Sequence, residues 1–267
     1  MRTAFFLEGI AGSLFCTGTL HAQGRERRRK VLIVPPFAEE MNKSRHVLAA
    51  LSDALGELGH DVLMTDFFGT GDSQGDFSEA TLDIWRSDLD VTIKRLGPQG
   101  NLALIGLRAG ALLAADAVQR HQVKSLTLLH PMVDGRQQLT QMLRLRLAGG
   151  LMGGGEKETA SQLRQRLGQG ECLEIAGYRL SGQLAGALET LALKSIPPLG
   201  VDQVNWIELA AEPDRPLMPA SQGVIDAWSA ADSEITHSVI VCDQFWATQE
   251  IVRCPGIVDE TMKHFAS

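Results

Sequence analysis

Six short apolar runs, separated by stretches with helical spacing, constrain this chain more than any other feature. The first, Lys30–Val34 (KVLIV), is continuous and rich in β-branched residues, as expected for a strand buried on both faces. Further strands are expected at 62–65, 102–105, 125–129, 204–210 and 236–242. Helices are expected at 46–58, 81–96, 109–120, 221–230 and 257–265. Strict alternation of strand and helix predicts a parallel sheet covered by helices on both faces.

The rhythm breaks between 133 and 195. No clear strand is legible there, and 138–147 and 158–167 look helical. The run 149–155 (GGLMGGG) holds five glycines and must be flexible or tightly turned. We therefore expect a core domain over 1–132 and 196–267 with a helical cap inserted at 133–195. At the N-terminus, Arg2, an apolar stretch and His21-Ala22-Gln23 weakly imitate an export signal. Glu8 interrupts that stretch and Gly9, Gly12 and Gly18 break its helix, so two strands, 3–7 and 14–20, are the expected reading. The sheet then has about eight strands.

Composition excludes several classes. Apolar residues at 44% and charged residues at 21% are ordinary for a soluble globular protein and argue against disorder. A net charge of −7 argues against a nucleic-acid partner, which calls for a basic face. No apolar run reaches the roughly 18 residues that span a bilayer. Cys16, Cys172, Cys242 and Cys254 form no CxxC pair and no zinc spacing. We expect reduced thiols, a cytoplasmic protein, no metal and no cofactor.

The chemistry centres on Gly106-Leu-Arg108-Ala109-Gly110, placed between a strand and a helix. That is the setting of the G-x-S-x-G nucleophile elbow, whose glycines allow a sharp turn and whose middle side chain projects over the sheet. Here the middle residue is Arg108. A guanidinium stays protonated and is no nucleophile, so the acyl-enzyme route is closed at this position. The remaining triad partners should follow in the order acid, then His. Asp214 occupies the expected acid position, with Glu212 as a rival and Asp134 as an alternative after the strand that ends before His130. The stretch after the last strand, Cys242-Asp-Gln-Phe-Trp-Ala-Thr-Gln249, has no His. His237 comes too early and His264 too late, which leaves His130 as the candidate base.

The loop after the first parallel strand, Pro35-Pro-Phe37-Ala-Glu39-Glu40-Met-Asn42-Lys43-Ser44, should open at the sheet's carboxyl edge, where ligands of such folds bind. We expect a loop over 37–43 and a helix capped by Ser44. An acidic side chain there would have Arg108 as a natural partner. Ser73, in Gly69-Thr-Gly-Asp-Ser73-Gln-Gly75, lacks an elbow and reads as part of a structural turn. The same loop is no dinucleotide fingerprint, because no helix follows at once.

Together with the elbow, VLIVPPFAEEMNKSRH (31–46), DFFGTGDSQGDF (66–77), IGLRAGALLA (105–114), LTQMLRLRLA (139–148) and GECLEIAGYRLS (170–181) carry a resemblance. Over nearly its whole length the chain resembles the α/β-hydrolase superfamily. More narrowly, it is similar to the exosortase A system-associated hydrolases of the second type. That resemblance implies an α/β-hydrolase fold with a cap, and a link to exopolysaccharide or sorted-protein export. It places Arg108 at the nucleophile position, Asp214 at the acid position, and Phe37 and Ala109 where amides form the oxyanion hole.

Two functions compete. In the first, Arg108 and free amides at a helix N-terminus bind an anionic sugar or an acyl ligand, with Phe37, Glu39, Glu40, Asn42 and Ala109 around it. In the second, the chain is an esterase or thioesterase. Water activated by His130, Glu39 or Glu40 then attacks, and Arg108 stabilises the oxyanion. A plainer alternative has Arg108 neutralised by Glu39, Glu40 or Asp214 in a buried ion network. The partners implied are a small-molecule or saccharide-linked ligand and proteins of an export system.

Overall fold

The computed structural model describes residues 2–21, 29–97, 99–152, 158–229, 234–248 and 250–265. In chain order, the first half runs β1 (Arg2–Glu8), β2 (Ser13–Thr19), β3 (Lys30–Val34), α1 (Glu39–Glu57), β4 (Asp61–Thr65), α2 (Leu82–Leu96), β5 (Leu102–Leu107), α3 (Ala109–Val118) and β6 (Ser125–Leu129). An excursion follows: α4 (Gly135–Met152), α5 (Ala160–Gly168), β7 (Cys172–Ile175), β8 (Tyr178–Ser181) and α6 (Gly182–Leu188). The chain then returns through β9 (Gln203–Ala210), α7 (Pro219–Trp228), β10 (Glu234–Val241) and α8 (Pro255–Lys263).

Eight strands form one sheet in the order β1-β2-β4-β3-β5-β6-β9-β10. The β1–β2 hairpin is antiparallel and joins β4 antiparallel; every other pairing is parallel. This is the expected α/β-hydrolase arrangement. Apolar residues sort to the two faces. Val47, Leu48, Leu51 and Leu55 of α1 and Ile257 of α8 pack under the sheet with Val31, Ile33, Ile105 and Ile207. On the other face, Trp85 and Leu89 of α2, Leu112 and Leu113 of α3, and Val224 of α7 pack with Leu32, Leu104 and Leu128. Strands with both faces covered are largely apolar, which is why VLIV of β3, VLM of β4 and LALIGL of β5 read as near-continuous runs.

Three expectations need correction. The segment 37–43 is not all loop: α1 starts at Glu39, because Ala38 turns the chain at φ 56° and two acidic residues fill the first turn. Negative charge there complements the helix dipole. Ser44 is no cap, and its hydroxyl donates back to the Glu40 carbonyl at 2.6 Å. The excursion is not purely helical, since β7 and β8 form an antiparallel hairpin around Ala176-Gly177, both at positive φ. The thiols are not all reduced: Cys242 and Cys254 form a disulfide, their Cα atoms 6.1 Å apart. The chain leaving β10 folds back to α8, which brings two residues twelve apart within bonding reach. Cys16 and Cys172 are free. Of the glycine run, 153–155 lie outside the described residues, and Gly149 is in α4. No helix among the described residues is long and apolar enough to cross a membrane.

Candidate functional site

Arg108 sits at the turn between β5 and α3. β5 ends at Leu107, and α3 begins at Ala109. Between them Arg108 has φ 55° and ψ −121°, a conformation costly for a residue with a side chain and of the kind retained at functional sites. Both flanking glycines are required by space. A Cβ on Gly110 would lie 2.2 Å from the Val34 carbonyl oxygen, and one on Gly106 would lie 2.5 Å from the Cα of Ala111. The elbow is held by its own backbone. The Arg108 N–H donates to Leu129 O at 3.0 Å, and Arg108 O accepts from Met132 N at 3.1 Å.

The Arg108 side chain, only 6% exposed, lies over the carboxyl edge of the sheet. Its Nη2 donates to Glu40 Oε1 at 3.0 Å and to Gln141 Oε1 at 2.8 Å, and its Nε donates to the same Glu40 oxygen at 3.3 Å. Nη1 reaches the His130 carbonyl at 3.4 Å. The guanidinium carbon lies 4.8 Å from the centre of the Trp246 ring, a cation–π contact. Of the carboxylates weighed from sequence, Glu40 faces Arg108. Burial pushes the Glu40 carboxyl above its ordinary value, against the pull of Arg108. Its second oxygen, Oε2, is buried with no hydrogen-bond partner.

His130 stands beside the elbow with φ 39°. Its Nδ1 accepts the Leu209 N–H at 3.0 Å, so the ring carries its hydrogen on Nε2. Trp246 packs on the ring, centroids 4.8 Å apart. Burial, and then the nearby Arg108 charge, lower the His130 pKa to about 3, so the ring is neutral at physiological pH.

The other sequence candidates scatter. Asp214 is exposed in the turn after β9 at φ 57°, and Glu212 is exposed beside it. Asp134 accepts the Gln137 N–H at 2.7 Å, closing the start of α4. Asn42 donates to the Tyr178 hydroxyl at 2.8 Å, tying α1 to the β7–β8 hairpin. Glu39 pairs with Lys43 at 2.7 Å. Ser73 donates to Asp66 O and accepts from Phe15 N, a structural tie between its loop and β2. Phe37 is buried against Trp85, ring centroids 5.0 Å apart, and Ala109 opens α3.

An open cleft of about 200 Å3 adjoins the Arg108–Glu40 pair. α1 supplies Glu39, Glu40 and Lys43 to its wall, α4 supplies Gln138, Gln141, Met142 and Leu145, and the loop after β10 supplies Trp246. Sequence reading missed Gln138, Gln141 and Trp246. Gln138 and Gln141 are one helical turn apart and polar within an apolar stripe, which was a usable signal. Trp246 lies in the very stretch searched for a His. Among the described residues, no cluster of His, Cys, Asp and Glu is placed to hold a metal ion.

Sequence comparison decides the family. Residues 25–163, just over half of the chain, match the serine aminopeptidase S33 family of hydrolases. The chain belongs to that family. A search of curated proteins returns no match. Among solved structures, it is similar to Est1E from Butyrivibrio proteoclasticus with ferulic acid bound: 17% identity, TM-score 0.68, covering 98% of this chain and 97% of that one. A hydrolase from Agrobacterium vitis S4 is 17% identical, with TM-score 0.66 and coverage of 99% and 97%. A thioesterase domain from the curacin biosynthetic pathway is 18% identical, with TM-score 0.53 and coverage of 98% and 99%. At these identities the likeness establishes the α/β-hydrolase fold. Within that fold, this member of the S33 family carries an arginine at its strand–helix elbow.

Proposed function

We propose that this hydrolase-family chain binds a small acyl or sugar-type ligand beside the elbow and forms no acyl-enzyme. The observation that carries this reading is Arg108, which fills the elbow and is held there by Glu40, Gln141 and Trp246. A side chain that cannot attack a carbonyl occupies the place of one that must. We read the triad as degenerate: Asp214 takes the acid position, and Trp246 sits in the loop where the His is expected. The Phe37 and Ala109 amides would present N–H donors to a ligand oxygen. Residues 133–195 act as the cap that roofs the cleft.

The resemblance stated above supports a setting in exosortase-linked or exopolysaccharide export, with a saccharide-linked ligand and export proteins as partners. A cytoplasmic location requires the Cys242–Cys254 pair to be reduced in the cell. Alkylating intact cells before lysis and counting blocked thiols by mass decides that point.

A second reading keeps the chain as an esterase or thioesterase that activates water. The raised carboxyl of Glu40 favours it, because a carboxylate of higher pKa is a better general base. His130 does not, because a ring with a pKa near 3 is a weak base. The test is a panel of p-nitrophenyl esters and acyl thioesters of short and long chain, run with wild type, Arg108→Ala and Glu40→Gln. We expect no turnover above background in any of them. Turnover by wild type that falls in both variants overturns the binding reading and establishes the hydrolytic one.

A further inference from the structure

Arg108 at a helix N-terminus leads from sequence to an anionic sugar or an acyl ligand. The charges around the cleft are instead balanced in pairs. Arg108 is met by Glu40 at 3.0 Å and Lys43 by Glu39 at 2.7 Å. An entering anion would have to displace the Glu40 carboxylate from Arg108 and then lie beside it. An entering cation would meet Arg108 and Lys43. Neither sign of charge has an unopposed partner in the wall.

What the wall leaves open is two acceptors. Glu40 Oε2 and Gln138 Oε1 are both buried without a hydrogen-bond partner, and both side chains line the cleft. A buried acceptor without a donor is costly, and a bound donor removes that cost. The terminal torsion of Glu and Gln is soft, so either oxygen turns to a ligand without leaving its rotamer well. Gln141 already gives its carbonyl oxygen to Arg108, which turns its amide nitrogen into the donor available to a ligand. Around these polar atoms the lining is apolar: Phe37, Met142, Leu145, Ile175 and the Trp246 ring.

We infer that the cleft takes an uncharged amphiphile whose head carries at least two hydroxyl or amide donors, received by Glu40 and Gln138, and whose apolar part lies against Met142, Leu145 and Trp246. This rests on the binding reading above. The head group of a neutral glycoside or glyceride has this chemistry: each hydroxyl donates once and still accepts, matching two open acceptors and one amide donor.

The experiment is calorimetric titration of the full chain with three six-carbon probes at matched concentration: hexyl β-D-glucoside, hexanoate and hexylammonium. Each titration is repeated on Gln138→Leu, which replaces an unpaired buried polar group with an apolar one of similar size and is expected to fold. Hexyl glucoside should bind at least tenfold tighter than either ion, with a change in tryptophan fluorescence, and Gln138→Leu should weaken it at least tenfold. Tighter binding of hexanoate or hexylammonium overturns the uncharged head and leaves the binding reading standing. Equal glucoside affinity in wild type and Gln138→Leu overturns the role of the open acceptors. Binding of none of the three overturns the inference as a whole. The binding reading falls separately, by ester turnover in the panel described above.

Discussion

Replacing Arg108 with alanine should destabilise the chain in a way that depends on pH, through Glu40. The Arg108 side chain is 6% exposed and that of Glu40 is 18% exposed, so the pair is largely dry. Glu40 Oε1 takes both of its side-chain donors from Arg108, and Oε2 has none. Removing the guanidinium strands a buried carboxylate, which costs about 3–5 kcal/mol at pH 8. Alanine also keeps the strained backbone at φ 55°, whereas glycine relaxes it, so Arg108→Gly should be less harmful by about 1–3 kcal/mol. The pH dependence follows from the direction of the Glu40 shift. Its folded pKa already lies above its unfolded value, so its contribution to stability falls as pH rises from the ordinary carboxylate range through the raised value. Without Arg108 the shift grows, so the deficit of Arg108→Ala is largest at pH 8 and shrinks towards pH 4.5. Urea unfolding of wild type, Arg108→Ala, Glu40→Gln and the double variant at both pH values reads this directly. The double variant should lose clearly less than the sum of the singles. A loss below about 1 kcal/mol at pH 8, or additive singles, would place the pair with solvent-screened surface ion pairs and refute the buried network.

Three further expectations concern groups outside that pair. Asp88 is fully buried, with one oxygen held by the Phe68 N–H and the other unpartnered, and burial lifts its pKa to about 6. The charged form therefore costs stability once pH passes that value, so Asp88→Asn should raise Tm at pH 8 and not at pH 4.5; equal effects at both would contradict it. His130, lowered from 6.5 to about 3, contributes stability that is lost as pH falls from 6.5 towards 3, and its ring proton resonance should not titrate between pH 8 and 5. A midpoint near 6.5 would mean the ring is hydrated. Unfolding the purified protein without reductant should expose two reactive thiols, Cys16 and Cys172, and four after reduction; four without reductant would remove the Cys242–Cys254 bond.

The same residues separate what composition and pattern reveal from what geometry adds. The α/β-hydrolase fold was legible because a strand buried on both faces is largely apolar, as VLIV at 31–34 is, and a helix over it must be apolar on one side. The elbow was legible from its two glycines: Gly106 leaves room for Ala111 within the same turn, although Gly110 leaves room for Val34 O of the neighbouring strand β3. Capping preferences favour Ser44 as the start of α1, whereas the acidic first turn and the backward bend at Ala38 set it at Glu39. The β7–β8 hairpin was missed because its strands are four residues each and alternate too briefly to show a period.

From the sequence alone came the layered sheet, the strand–turn–helix at residues 106–110 and the arginine at its tip. Each depends on neighbours within a few residues or on a period of two or 3.6. Which carboxylate meets that arginine depended on the first turn of α1 lying beside the elbow, with Glu40 sixty-eight residues from Arg108 in the chain. The tryptophan on its face came from the loop after β10, and the glutamine at its side came from α4. Such meetings are set by how helices pack across a twisted sheet, and spacing along a chain does not encode them. Only the folded chain could pair Glu40 with Arg108, balance the cleft's charges and leave two acceptors open.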